Sequence, residues 1–286
     1  MNGIATAPAG IPADCTGWEA KLSLSYERRG PRTVLGRRAH RGPLVVQKAL
    51  YPEGEELCQS IVVHPPAGVV GGDRLALEVT AGENARVQLT TPGAAKWYRS
   101  SGAPARQSLY FSVGPGAILE WLPQETIVFD GAIAKLDTQI VLARDAIFLG
   151  WEIVCLGRRL AGERFAKGEF GQDLVARRDG LRQWIERTRL GGGSALLESP
   201  VGLASQPVFG TLLALAPLVP DRVIAECREI VNRAGEVAVT HLPGMLLARY
   251  RGEFAEAARD YFAAIWACMR PATVGREAVR PRIWNT

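Results

Sequence analysis

This sequence is poor in the residues that usually announce chemistry. Its five cysteines, Cys15, Cys58, Cys155, Cys227 and Cys268, stand far apart along the chain. That spacing offers no zinc motif and no redox pair, and the odd count argues against a disulfide framework. No apolar run approaches the roughly 20 residues needed to span a bilayer. The opening MNGIATAPAGIPADC lacks the basic start and apolar stretch of a secretory signal, so a soluble, cytoplasmic protein is expected. There is no Walker-type phosphate loop, no HExxH, no nucleophile elbow and no GxGxxG opening a helix. Gly191-Gly192-Gly193-Ser194 is not followed by lysine and reads as a loop. No helical pattern separates successive strands, which excludes a doubly wound parallel sheet. The net charge of +5 rests largely on Arg28, Arg29, Arg32, Arg37, Arg38 and Arg41. Neither interleaved aromatics nor a docking helix accompanies them, so the patch reads as a solvated or partner-facing edge, not a nucleic-acid site.

What is abundant is turn chemistry. With 31 glycines and 18 prolines, and 47% hydrophobic residues to fill a core, the chain reads as many short strands. Residues 1–17 form a small, proline-rich tail. A single domain follows over 18–286, β-rich over 18–218 and helix-containing over 219–286. Strands are expected over 44–50, 59–64, 74–80, 85–91, 107–113, 117–121, 126–130, 137–142, 146–156, 173–178, 181–189 and 208–216. Leu109, Phe111 and Val113 alternate with Ser108 and Ser112, the period of a half-buried strand. Arg178-Asp179-Gly180-Leu181 reads as a tight hairpin. The fold class is mainly β: a coiled superhelix or a sandwich-like stack, with two helices near the C-terminus. The first helix carries the stripe Val223, Ile224, Cys227, Ile230 and Val231 and ends at Gly235. The second runs from about Glu253 to Met269 and stops at Pro271. No internal sequence repeat is evident.

The densest punctuation lies in HPPAGVVGGD, residues 64–73. Pro65 and Pro66 force an extended exit from His64. Gly68, Gly71 and Gly72 then permit a sharp turn that Asp73 closes. A carboxylate so placed either caps backbone amides or meets a cation. His64 is the best metal-ligand candidate among the histidines, although a hydrogen-bonded strand end is the commoner role for such a residue. Cys58, six positions earlier, falls on the same strand face. Lys96 and Tyr98 share a face and could couple as acid and base, but a structural pairing is the more ordinary reading. Asp130, before Gly131, reads as a turn cap. In WIERTRL, Glu186 and Thr188 point away from Arg187 and Arg189, so Glu186 needs a partner or a wet cavity. Trp18, Trp97 and Trp121 are equally suited to core or interface.

Four ordered blocks carry a family resemblance: RGPLVVQKALYPEG (41–54), HPPAGVVGGD (64–73), TTPGAAKWYRS (90–100) and WLPQETIVFDGA (121–132). With the terminal RIWNT, they make the chain resemble the urease accessory protein UreD family, also called UreH, from about Trp18 to Thr286. One departure is Ala67, where that family often has glycine. The resemblance implies an all-β superhelix and a non-enzymatic scaffold in assembly of the urease nickel centre. It implies binding to UreF, through it to the GTPase UreG, and to apo-urease, with nickel as a transient passenger. It also implies a polar internal passage, with Asp73 and, by a looser alignment, Glu186 along it. Thr90 and Thr91 would line it, and His64 is a further candidate contact. On that basis, replacing Asp73 or Glu186 with alanine leaves folding intact and lowers nickel loading. The residues alone leave a second reading open: a β-scaffold hydrolase or lyase using Asp73, Lys96, Tyr98 and Asp130 in a shared groove.

Overall fold

The structure, a computed structural model, describes residues 17–285. The expected tail therefore lies outside the described residues but for Gly17, as does Cys15. The described chain winds into a β-solenoid-like stack of about four turns. It begins with the hairpin β1 (Glu19–Arg29) and β2 (Arg32–Arg41), then β3 (Val45–Leu50). One turn of the coil takes in β4 (Leu57–Val63), β5 (Gly68–Val69) and β6 (Arg74–Ala81). The next takes in β7 (Arg86–Thr90), β8 (Ala95–Trp97) and β9 (Ala105–Val113), and a third β10 (Ile118–Leu122), β11 (Thr126–Val128) and β12 (Ile133–Leu142). The last takes in β13 (Ile147–Leu156) and β14 (Glu169–Arg178), from which β15 (Leu181–Gly191) folds back.

Equivalent strands of successive turns stack in parallel. One wall is β1, β6, β9, β12 and β14, the opposite wall β4, β7, β10 and β13, and a short third face β5, β8 and β11. Antiparallel strands finish each wall: β2 and β15 on the first, and on the second β3 at one edge with β16 (Val208–Leu215), β18 (Met245–Gly252) and β17 (Gly235–Leu242) at the other. Side chains alternate across the walls as their period dictates. In β12, Ala134, Leu136, Thr138, Ile140 and Leu142 point inward.

A structural repeat underlies the coil, although none was evident in the sequence. Ala85, Ala117 and Ala146 occupy the same corner of successive turns, 32 (117 − 85) and 29 (146 − 117) residues apart. All three are wholly buried. Backbone bonds tie the corners together: Gly114 N–H to Ala81 C=O (2.8 Å), then Ala143 N–H to Val113 C=O (2.9 Å). Only a small residue and a turn are needed there, which is too little identity to register as a repeat.

The hairpin at Arg178–Leu181 forms as expected, with Asp179 and Gly180 both at positive φ. The helical region differs from expectation in detail. Three helices are present among the described residues: α1 (Ala195–Glu198), α2 (Asp221–Glu229) and α3 (Ala255–Val274). Gly235 does not cap α2; it opens β17, and Val231 is exposed. Pro271 does not end α3, which runs on to Val274 before Gly275 turns left-handed. A proline this near the end removes little, and Arg86 holds the Val274 carbonyl at 3.1 Å. The buried face of α3, including Tyr261, Phe262, Ile265, Trp266 and Met269, covers the outer side of the second wall over Ile118, Leu122, Leu149, Trp151 and Ile153. The cysteines also correct the sequence reading. The Cys227 and Cys268 thiols meet across the seam of α2 and α3, and burial pushes both thiol pKa values up.

Candidate interior passage

Two cavities lie between the walls of the coil, each partly open to the surface. The larger, of about 510 Å³, is walled by Trp121, Thr138, Glu152, Gln172, Glu186, Thr188, Thr211 and Arg249, among others. The smaller, of about 200 Å³, is walled by His64, Gly68, Thr91, Lys96, Gln107, Gln124, Trp121 and Glu152, among others. Trp121 and Glu152 belong to both, so the cavities abut at this pair, whose indole Nε1 donates to Glu152 Oε1 at 3.3 Å.

Glu152 is the focus of the interior. It sits in β13 between Trp151 and Ile153, and inward with Phe148, Gly150 and Val154, because alternation leaves it no other side. Enclosure by protein raises its pKa to about 7, and the Trp121 bond offsets this only in part. The side chain still keeps accessible surface, since it faces the cavities. It is a carboxylate held near the point of gaining or losing its proton at neutral pH.

Glu186 enters the larger cavity from β15, as its alternation with Arg187 and Arg189 requires. Those arginines instead reach Asp173 on the outside. Glu186 Oε1 accepts from Arg249 Nη1 at 2.8 Å and from Thr211 Oγ1 at 3.3 Å, and Oε2 from Trp184 Nε1 at 3.3 Å. His64 lines the smaller cavity. Burial lowers its pKa against an opposing pull from Asp73, which favours the neutral imidazole that a metal could use. The two threonines part company. Thr91 lines the smaller cavity and accepts from Gln124 N–H at 2.9 Å. Thr90 points the other way, donating to the Leu122 carbonyl (2.6 Å) and accepting from Trp284 Nε1 (2.7 Å) under the helical layer.

Asp73 is tied into the backbone of its own turn. It is 5% exposed, and its two oxygens accept the main-chain N–H groups of Trp18 (2.8 Å) and Val70 (2.9 Å). It is the clasp of the glycine turn and borders neither cavity. Gly68 in that turn has no room for a side chain, because a Cβ would strike the Tyr98 ring. Tyr98 packs edge-on against Phe129. Asp130 accepts the Ala166 and Lys167 N–H groups at 2.8 and 2.7 Å, a turn cap as expected. Of Asp73, Lys96, Tyr98 and Asp130, only Lys96 lines either cavity, so the four do not share a groove there. Cys58 is buried in the core away from both cavities. Among the described residues, no group of three His, Cys, Asp or Glu side chains could hold a metal together.

The UreD urease accessory protein family model matches residues 19–285. The chain belongs to this family. It is 52% identical to the urease accessory protein UreD of Azoarcus sp. (strain BH72), covering the whole of both chains. It is 53% identical to that of Dechloromonas aromatica (strain RCB), over 98% of each chain. The Pseudomonas aeruginosa relative is 51% identical over 94% of this chain and 95% of its own. The family is thus one of accessory proteins of urease, by name, and no helix among the described residues is long and apolar enough to cross a membrane.

Glu152 escaped the sequence reading, as did Arg249. One signal was available for the first: a lone carboxylate inside the apolar run IFLGWEIVCL. A charge in such a run must be paired, neutral or cavity-facing. Nothing local marked Arg249, whose partner lies 63 residues away.

Proposed function

We propose that this protein is a non-enzymatic scaffold in urease maturation that conducts nickel through its interior, in complex with UreF, through it with UreG, and with apo-urease in the cytoplasm. The single observation that carries the reading is the pair of abutting cavities with Glu152 at their junction. A divalent ion cannot cross a dry interior, because desolvation costs far more than any one contact returns. It can move along a wet path where isolated carboxylate oxygens replace part of its water. Glu186 and Glu152 line the larger cavity, and Glu152 and His64 the smaller, each as a single station with Thr91 as a neutral neighbour. No cluster gathers enough ligands to trap the ion. A cation reaching Glu152 favours its ionised form and displaces its proton, so the carboxylate is negative when the ion is present. Asp73 serves by holding the turn that places Gly68, which lines the smaller cavity.

The test is to mature urease with Glu152→Gln and Glu186→Gln variants and measure nickel per active site. The expected result is a marked fall in nickel content, with folding and UreF co-purification unchanged. Full nickel content with the double variant overturns the passage.

A further inference from the structure

We propose that Arg249 is a positioning residue that occupies the Glu186 carboxylate and keeps nickel from lodging at that end of the interior, a role that rests on the passage reading above. Glu186 is a well-made anion. Its side chain is 19% exposed, and its oxygens take one charged and two neutral donors, from β18, β16 and its own strand. Stripped of the guanidinium, it would be an uncompensated, partly desolvated carboxylate facing a cavity, which holds a passing divalent ion longer than the paired carboxylate does. Arg249 supplies the positive charge that such an ion would otherwise supply.

The neighbouring pair shows why Arg249, and not Arg251, suits this role. Arg251 pairs with Glu236 on the same cavity wall, but its guanidinium is also fixed by the carbonyls of Pro200 (3.0 Å) and Gly202 (2.6 Å). Among the described residues, Arg249 has only Glu186 and, at 3.5 Å, the Thr211 hydroxyl. Its side chain is 49% exposed, so it can swing into solvent as an ion passes and return afterwards. Glu186 is then released to the cation only transiently, and re-forming the ion pair expels the cation.

The test is titration of the full-length protein with nickel sulfate, followed calorimetrically. Arg249→Met is expected to bind nickel about tenfold more tightly than wild type, the equivalent of losing one charge-assisted bond. Arg249→Lys keeps the charge and stays near wild type. Arg249→Met combined with Glu186→Gln returns to wild type. Melting curves confirm that each variant is folded, and Arg249→Gln replaces the methionine variant should that one misfold. An unchanged affinity in the neutral variant, or a gain that survives Glu186→Gln, overturns the proposal. Failure of the passage looks different: the neutral variant gains its Glu186-dependent affinity, yet Glu152→Gln and Glu186→Gln leave urease nickel unchanged.

Discussion

Arg270 and Glu120 face each other between α3 and β10, and neither side chain exposes any surface. Arg270 Nε donates to Glu120 Oε1 at 3.0 Å and Nη2 to Oε2 at 3.1 Å, while the same guanidinium reaches both oxygens of Glu53. Burial works against the charge of Arg270, but Glu120 and Glu53 outweigh it and its pKa rises. Trp266 donates to Glu120 at 2.6 Å, and Gln88 and Gln59 extend the chain of bonds along the wall. Arg270→Met strands two carboxylates in the interior. It should cost about 3–5 kcal/mol, the usual cost of halving a buried pair. Adding Glu120→Gln and Glu53→Gln should restore much of that loss. Denaturant melts of the single and triple variants measure it. A single variant as stable as wild type would show that water reaches the pair.

Asp73→Ala should destabilise the protein, contrary to the expectation that it leaves folding intact. The substitution leaves the Trp18 and Val70 amides without their acceptor in a largely buried setting. A loss of about 3 kcal/mol follows from two orphaned donors. Any fall in urease nickel with this variant should therefore track its melting temperature. Reduced nickel loading at unchanged stability would return Asp73 to the passage.

Ala67 sits at φ +60°, a conformation that disfavours a Cβ. Ala67→Gly should stabilise the turn by about 0.5–1 kcal/mol, the left-handed strain relieved less the added freedom of the unfolded chain. A denaturant midpoint that moves down instead would show that the Ala67 methyl, at the edge of the smaller cavity, packs well enough to outweigh the strain.

The wall strands were legible because alternation and turn residues are local signals. Leu109, Phe111 and Val113 point inward as their period required. The coil was less so. Its stacking depends on corners whose only shared residue is a buried alanine, and on β5, β8 and β11, which are two or three residues long. The side that Glu186 faces was legible because an alternating strand set it against two arginines. Asp73 was located but its partners were not, since the Trp18 amide is 55 residues away. Thr90 and Thr91 could not be ranked, because adjacent residues on a strand face opposite ways and the sequence does not say which side is wet.

Glu152 makes stability depend on pH in a predictable direction. Its ordinary pKa of 4.5 is raised to about 7 in the folded chain, so the native state holds the proton more tightly than the unfolded state. Below pH 4.5 both states are protonated and the group contributes nothing. As pH rises from 4.5 to 7 the unfolded chain ionises first, and stability falls; above 7 the penalty levels off. Glu152→Gln carries no such proton. Its stability gain over wild type should be absent near pH 4 and approach about 3 kcal/mol by pH 8, from the size of the shift. Melts of both proteins across that range check it. Parallel stability profiles would mean that Glu152 ionises as freely as a surface carboxylate, and the enclosed junction between the two cavities would then be open to bulk water.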